Sequence, residues 1–253
     1  MSTTKTALIT GATSGIGKAT AMAFANQNIN LIICGRRTNR LQDLQKELQK
    51  KVNVHILSFD IKNKEAVFSK IESIPETFQN IDILINNAGN AHGLDPLQEG
   101  STEDWDNMMD INVKGLLYVS RAITPGMVAR KSGFVINVGS TAAKEVYPKG
   151  NVYCASKHAV DAITKGMRMD FNPYGIRVGA IHPGLVETEF SNVRFKGDDE
   201  RADQTYDGFE PLHPEDIAEA ILFMVTRPPH VTIGDMVVLP TAQASATMIQ
   251  KNT

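Results

Sequence analysis

Seven short stretches of the chain are apolar without strict alternation: TALIT at 6–10, NLIIC at 30–34, VNVHIL at 52–57, IDILIN at 81–86, GFVINV at 133–138, IRVGAI at 176–181 and DMVVL at 235–239. A strand with one wet face alternates polar and apolar positions, so these continuous runs predict strands covered on both faces. The intervening stretches are long enough for helices, and IAEAILFMV at 217–225 has the spacing of a helix with one face on a core. Strand and helix in alternation predict an α/β protein built on a parallel, doubly wound sheet. No repeat, low-complexity tract or linker divides the sequence, so residues 1–253 read as one domain. One segment breaks the rhythm. Residues 187–211, ETEFSNVRFKGDDERADQTYDGFEP, are polar and charged between the sixth strand and a helix starting near Pro214. An irregular insertion of that length in a compact domain reads as a lid.

Composition narrows the picture. The 253 residues are 42% hydrophobic and 21% charged, which describes an ordinary globular chain. With 26 basic and 28 acidic residues the formal charge is -2, which gives no broad attraction to nucleic acid or an anionic membrane. No apolar segment approaches the roughly 18 to 20 residues that cross a bilayer. Only Cys34 and Cys154 are present, and MSTTKTALIT lacks a basic leader and cleavage pattern. These features predict a reduced, cytoplasmic location. The six histidines and two cysteines show no metal-binding spacing, so no metal site is expected.

The first strand runs into TGATSGIG, residues 10–17, at the start of a helix expected to reach about Asn28. Glycines at 11, 15 and 17 allow a tight turn and close approach to a pyrophosphate over the helix N-terminus, where free N–H groups favour an anion. A purely structural glycine turn is the competing reading. The second strand ends in CGRRTNR, where an NAD binder would place an acidic residue for the ribose 2′-hydroxyl. Arg36 and Arg37 instead suit a 2′-phosphate, and no nearby carboxylate in the sequence competes for them, which predicts NADP(H). The alternative is a solvated helix start, although arginine there opposes the helix dipole. Asp60 after the third strand reads either as a contact for the adenine amino group or as the cap of a helix near Asn63, and NNAG at 86–89 follows the fourth.

Chemistry gathers near the fifth strand, which ends in NVGST and presents Ser140. Some ten residues later a helix carries Tyr153 and Lys157, and it is expected to stop at Asn172-Pro173. Residues four apart share a helix face. Free phenols titrate near about 10, so a tyrosine acting at neutral pH needs a nearby positive charge that favours the phenolate. Ser140 would hold a substrate carbonyl, and Tyr153 would supply or take its proton as hydride moves at carbon. A chance pair of polar helix residues is the plainer reading. Cys154 reads as a small buried residue, and His182 as a strand-end residue.

Together TGATSGIG, NNAG, Asn112 in DINVKG, Ser140, Tyr153 with Lys157, and Pro183-Gly184 in HPGLVET resemble the short-chain dehydrogenase/reductase family over nearly the whole chain. The resemblance implies a single-domain Rossmann-type sheet of strand order 3-2-1-4-5-6-7 and a tetrad of Asn112, Ser140, Tyr153 and Lys157. Asn112 would support a water that relays protons to Lys157, and Lys157 would also hold the nicotinamide ribose. Cofactor contacts are implied at Gly11, Thr13, Ser14, Gly15, Ile16, Gly17, Arg36, Arg37, Asp60, Ile61, Asn87, Ala88, Gly89, Tyr153, Lys157, Pro183, Gly184, Val186 and Thr188, the last to the nicotinamide carboxamide. The lid sequence, with PTAQAS near the C-terminus, is similar to that of the NADP-dependent 3-hydroxy acid dehydrogenases that act on L-serine and L-allo-threonine, and family members are commonly homotetramers.

Independently of the resemblance, Arg194, Lys196 and Arg201 in the lid are candidates for pairing with a substrate carboxylate, Arg194 first among them. The same segment carries Asp198, Asp199, Glu200 and Asp203, and simple charge balance on a solvated loop is the competing account. The expected activity is therefore reversible oxidation of a short 3-hydroxy acid with NADP(H), acting on small molecules without a nucleic-acid or membrane partner. The alternatives are reduction of another carbonyl, such as a 3-oxoacyl thioester, a sugar or a dicarbonyl, or a dinucleotide-sensing protein without turnover.

Overall fold

The structure is a computed structural model that describes residues 4–252. Seven strands, β1 (Thr6–Thr10), β2 (Asn30–Gly35), β3 (Val54–Ser58), β4 (Ile83–Asn86), β5 (Gly133–Val138), β6 (Ile176–Pro183) and β7 (Asp235–Val238), form one sheet. All pairings are parallel, and the order is β3-β2-β1-β4-β5-β6-β7, as the sequence implied. The strand ends shift by a few residues, because ladder partners and not hydrophobicity decide where pairing stops.

Nine helices complete the described chain: α1 (Gly15–Ala25), α2 (Thr38–Leu48), α3 (Lys64–Glu72), α4 (Thr102–Met109), α5 (Leu116–Arg130), α6 (Asn151–Phe171), α7 (Phe190–Arg194), α8 (Asp199–Asp203) and α9 (Pro214–Val225). The double burial read from the strands holds for the five inner strands, whereas at the sheet's edges β3 is half-buried and β7 leaves Asp235 and Val237 exposed. Ala7, Ile9, Leu31, Ile33, Ile83 and Ile85 face one core with Phe24 of α1, Leu41 of α2 and Ile217 and Ile221 of α9. Their neighbours Leu8, Ile32, Leu84 and Val135 face the other, with Val67 of α3, Val119 and Ile123 of α5 and Val160 of α6. Successive residues on a strand point to opposite faces, so each apolar run feeds both cores and buries a large apolar area.

Three local outcomes differ from the sequence reading. Helix α1 ends at Ala25, and Asn28 turns the chain at φ 56°. The cap of α3 is Asn63, whose side chain accepts from the Ala66 N–H, while Asp60 accepts from the Lys62 N–H in a turn of its own. The lid is not wholly irregular, since α7 and α8 lie within it. A single helical turn carries too few positions for an apolar period to show. Helix α9 starts at Pro214 as expected, with His213 and Asp216 forming a reciprocal cap.

Candidate active site

The carboxyl ends of β1, β2, β4, β5 and β6 open onto one cleft of ≈ 620 Å³. Every residue predicted to act on cofactor or substrate lines it except Gly17, Asn112 and the lid cations Lys196 and Arg201. Gly17 lies behind the turn, where an added Cβ would collide with the Asn87 side chain. Asn112 lies behind the loop that follows β4. Gly17 thus shapes the turn by close packing and does not face the cleft.

The glycine turn suits an anion. Gly11 adopts φ 68° and Gly15 φ 50°, and a Cβ on Gly15 would stand 3.1 Å from the Thr188 side chain. Ser14 caps α1 with extended backbone, yet its side chain takes up none of the first-turn N–H groups. Those donors and the helix dipole fit a pyrophosphate, so the residues present fit a dinucleotide.

The second-strand arginines are already engaged. Arg36 stands 3.6 Å from Asp60. Arg37 donates to Thr13 Oγ1 at 2.8 Å, to Ser14 Oγ at 2.7 Å and to Glu189 at 2.7 Å. Arg40, not anticipated from sequence, takes the other Glu189 oxygen at 2.5 Å. The expectation that no carboxylate competes for this spot is corrected: Asp60 stands at Arg36, and Glu189 reaches Arg37 from the lid. Burial raises the Glu189 pKa, but hydrogen bonds and charge from Arg37 and Arg40 outweigh it and leave the carboxyl below its ordinary range.

Ser140 follows β5, and its Oγ accepts from the Ala142 N–H, capping a short turn. Helix α6 places Tyr153 and Lys157 on its buried face, both lining the same cleft as Ser140. Lys157 donates to the Val138 carbonyl at 3.0 Å and sits 6.0 Å from the centre of the Tyr153 ring. Burial lowers the Lys157 pKa to about 8. Burial likewise pushes the Tyr153 phenol well above its ordinary value, against the opposing pull of Ser140 and Arg194. Without cofactor, desolvation dominates the phenol, and Lys157 gives its hydrogen bond to Val138 and not to the phenol.

Asn112 occupies a π-helical turn, Asp110–Gly115, between α4 and α5. Its Oδ1 accepts from the Asn90 N–H at 2.8 Å, and its Nδ2 donates to the Asn90 carbonyl at 2.8 Å and to Ser156 Oγ at 3.0 Å. The side chain fixes the loop after NNAG against α6, with both amide N–H groups donated and one lone pair of Oδ1 in use. Such π-turns recur at functional sites.

Arg194 closes the far side of the cleft. Its Nε donates to the Gly93 carbonyl at 3.2 Å, and its guanidinium lies 5.6 Å from the Tyr147 ring centre and 5.7 Å from that of Tyr153. Among the described residues its buried Nη2 has no hydrogen-bond partner. The guanidinium as a whole lines the cleft beside the candidate acid, while this one donor is turned into the protein. The other lid cations are occupied: Lys196 pairs with Asp104 at 2.9 Å, and Arg201 lies 4.5 Å from the Phe195 ring centre.

His182 is fully buried beneath this site. Its Nε2 lies 2.5 Å from Asp235 on β7, and its Nδ1 lies 3.2 Å from the Ser140 carbonyl oxygen. Asp161 joins the group, but Lys144 holds Asp161 at 2.8 Å and Asp235 at 2.6 Å. An ammonium already bridges the carboxylates, so this is an ion-pair network and His182 is structural. Cys154 is buried and unpaired, as is Cys34. Sequence reasoning missed Tyr147, Phe190 and Ile249, which also line the cleft. Their signal is aromatic or aliphatic bulk in polar loops, which no spacing rule isolates.

A family profile described as short chain dehydrogenase matches residues 5–199. The chain is 45% identical over 240 residues to the NADP-dependent 3-hydroxy acid dehydrogenase YdfG of Escherichia coli (strain K12), covering 94% of this chain and 96% of that protein. It is 42% identical to sulfoacetaldehyde reductase 2 of Chromohalobacter salexigens, covering 94% of each. The closed form of a serine dehydrogenase complexed with NADP+ superposes with a TM-score of 0.92 at 43% identity, covering 98% of this chain and 100% of that one.

Proposed function

The chain belongs to the short chain dehydrogenase family, and from that premise we propose an NADP-dependent oxidoreductase that interconverts short 3-hydroxy acids, such as L-serine and L-allo-threonine, with their 3-oxo acids. The observation that carries the substrate class is the Arg194 guanidinium, a cation that lines the cleft 5.7 Å from the Tyr153 ring centre. A carboxylate taken up there would leave a hydroxyl two carbons away in reach of the acid/base group, whereas a neutral alcohol would leave the cation unmet.

NADP+ bound in the cleft supplies a hydride acceptor, and NADPH a donor. Gly11, Thr13, Ser14, Gly15 and Ile16 would hold its pyrophosphate, with Asp60 and Ile61 near the adenine and Asn87, Ala88, Gly89, Pro183, Gly184, Val186 and Thr188 along the nicotinamide half. Ser140 would bind the substrate oxygen. Tyr153 would give it a proton in reduction and remove one in oxidation. Lys157 would stabilise the phenolate once a positively charged nicotinamide adds to the local field, and Asn112 would position the loop beside it.

A second reading has its own support. A sulfonate on the same spacing as the carboxylate presents an equivalent oxyanion, and one relative is named for sulfoacetaldehyde. The test is NADPH formation with L-serine, D-serine, the threonine diastereomers, 3-hydroxypropionate, isethionate and neutral alcohols. Acid substrates should exceed neutral alcohols of equal length in kcat/KM by at least about tenfold. Equal efficiency would overturn the anion-based assignment, and isethionate as the best substrate would favour the second reading.

The chain reads as one catalytic unit over residues 1–253, with the lid at 187–211. No described helix is long and apolar enough to cross a membrane. We place the enzyme in the cytoplasm as a homotetramer, supported by the exposed apolar side chains of Phe223 on α9, Val237 on β7 and Met248. Sedimentation giving a monomer at micromolar concentration would contradict the assembly.

A further inference from the structure

The first half of the lid is tied down on both sides of the cleft. On the substrate side, the Gly93 N–H donates to the Arg194 carbonyl at 3.0 Å, and Lys196 reaches Asp104 on α4 at 2.9 Å. On the cofactor side, Glu189 takes Arg37 with one oxygen at 2.7 Å and Arg40 with the other at 2.5 Å. Arg37 carries the link further, to Thr13 and Ser14 of the glycine turn. One chain of contacts therefore runs from the wall of the cleft that would hold the pyrophosphate, through a guanidinium, to the lid. Thr188, beside Glu189, stands against Gly15 and completes the closure. Arg40 does not line the cleft, so its contact with Glu189 is a matter of lid position and not of cofactor recognition.

We propose that Glu189 is a cofactor-retaining residue, whose ion pairs with Arg37 and Arg40 clasp the lid across the mouth of the cleft so that bound NADP(H) leaves only after they open. This inference rests on the NADP(H) reading of the cleft. All three side chains are partly exposed, so each pair is weak alone and screened by salt. Two pairs sharing one carboxylate would nevertheless retard opening severalfold. The opposite role is also defined by the geometry: a carboxylate between two guanidinium groups stands as a 2′-phosphate would, and as a competitor it would weaken binding.

The experiment is stopped-flow release of NADPH from the full-length protein, for the parent, Glu189→Gln, Arg40→Gln and the double variant, at low and high ionic strength. A parent that binds no NADPH defeats the cofactor reading itself before any variant is compared. Given binding, release should be about 3- to 10-fold faster in Glu189→Gln, faster by a smaller factor in Arg40→Gln, no faster in the double variant than in Glu189→Gln, and less dependent on salt than in the parent. Arg40→Gln removes one arm without altering the cleft lining, and so stands in if Glu189→Gln fails to fold. Parent-like release with a parent-like salt dependence would overturn the clasp, and so would slower release or tighter NADPH binding in Glu189→Gln.

Discussion

The Lys157 ammonium stands 6.0 Å from the centre of the Tyr153 ring and gives its hydrogen bond to the Val138 carbonyl, so the two residues share a dry pocket without a direct bond to the phenol oxygen. Burial acts on both in the same sense, favouring the neutral form of each. A site poised this way needs a further positive charge before its phenol becomes acidic.

Tyr153 should thus ionise above free tyrosine in the cofactor-free protein and move down when NADP+ binds. Ultraviolet difference titration of the parent against Tyr153→Phe isolates its phenolate band. A phenolate at neutral pH without cofactor would contradict the burial argument. The same variant should lose about 10²- to 10⁴-fold in kcat while binding NADPH within about threefold of the parent.

Lys157→Met should abolish most turnover yet stabilise the cofactor-free fold near neutral pH. The folded pKa of about 8 lies below the ordinary lysine value of 10.5. Between these values the unfolded chain binds more protons, so stability contributed by this group rises with pH across that window and is at its lowest below it. The gain in melting temperature from Lys157→Met should therefore be greatest below pH 8 and shrink toward pH 10.5. A loss of stability at neutral pH would contradict this.

Arg194→Ala should raise KM for 3-hydroxy acids by roughly 10- to 100-fold, corresponding to about 1.5 to 3 kcal/mol for a charged hydrogen bond, and leave neutral alcohols within about threefold. Steady-state kinetics on matched substrates decides it, and an equal effect on both classes would take Arg194 out of substrate recognition.

Asn112→Ala should cost about 2 to 4 kcal/mol of stability, since it strips partners from the buried Asn90 backbone and Ser156. Denaturant unfolding measures the loss. A variant as stable as the parent would show that these contacts re-form elsewhere.

The sheet was legible because its inner strands are buried on both faces, which writes them as unbroken apolar runs such as NLIIC and GFVINV. The cleft followed, since glycine turns and strand ends fix where Gly11, Ser140 and Pro183 emerge. Two things were hidden. The Arg37 to Glu189 contact spans 152 positions, a separation at which charge patterning carries no signal. The pKa of Tyr153 depends on how deeply Tyr147, Phe190 and the lid cover it, and helix spacing says nothing of desolvation. Lys196 shows the same limit: its counter-ion comes from α4 and not from the acidic residues beside it in the lid.

The charges under the Ser140 turn have a consequence for assembly. His182, Lys144, Asp161 and Asp235 come from four separate segments, and the last of them arrives on the strand that pairs at the sheet's edge. A nascent chain can lay down its nucleotide turn and its tyrosine helix long before that strand exists, but the footing of its serine is unfinished until then. Competence should accordingly come late in synthesis, and a chain halted before residue 235 should show helical circular dichroism without turnover.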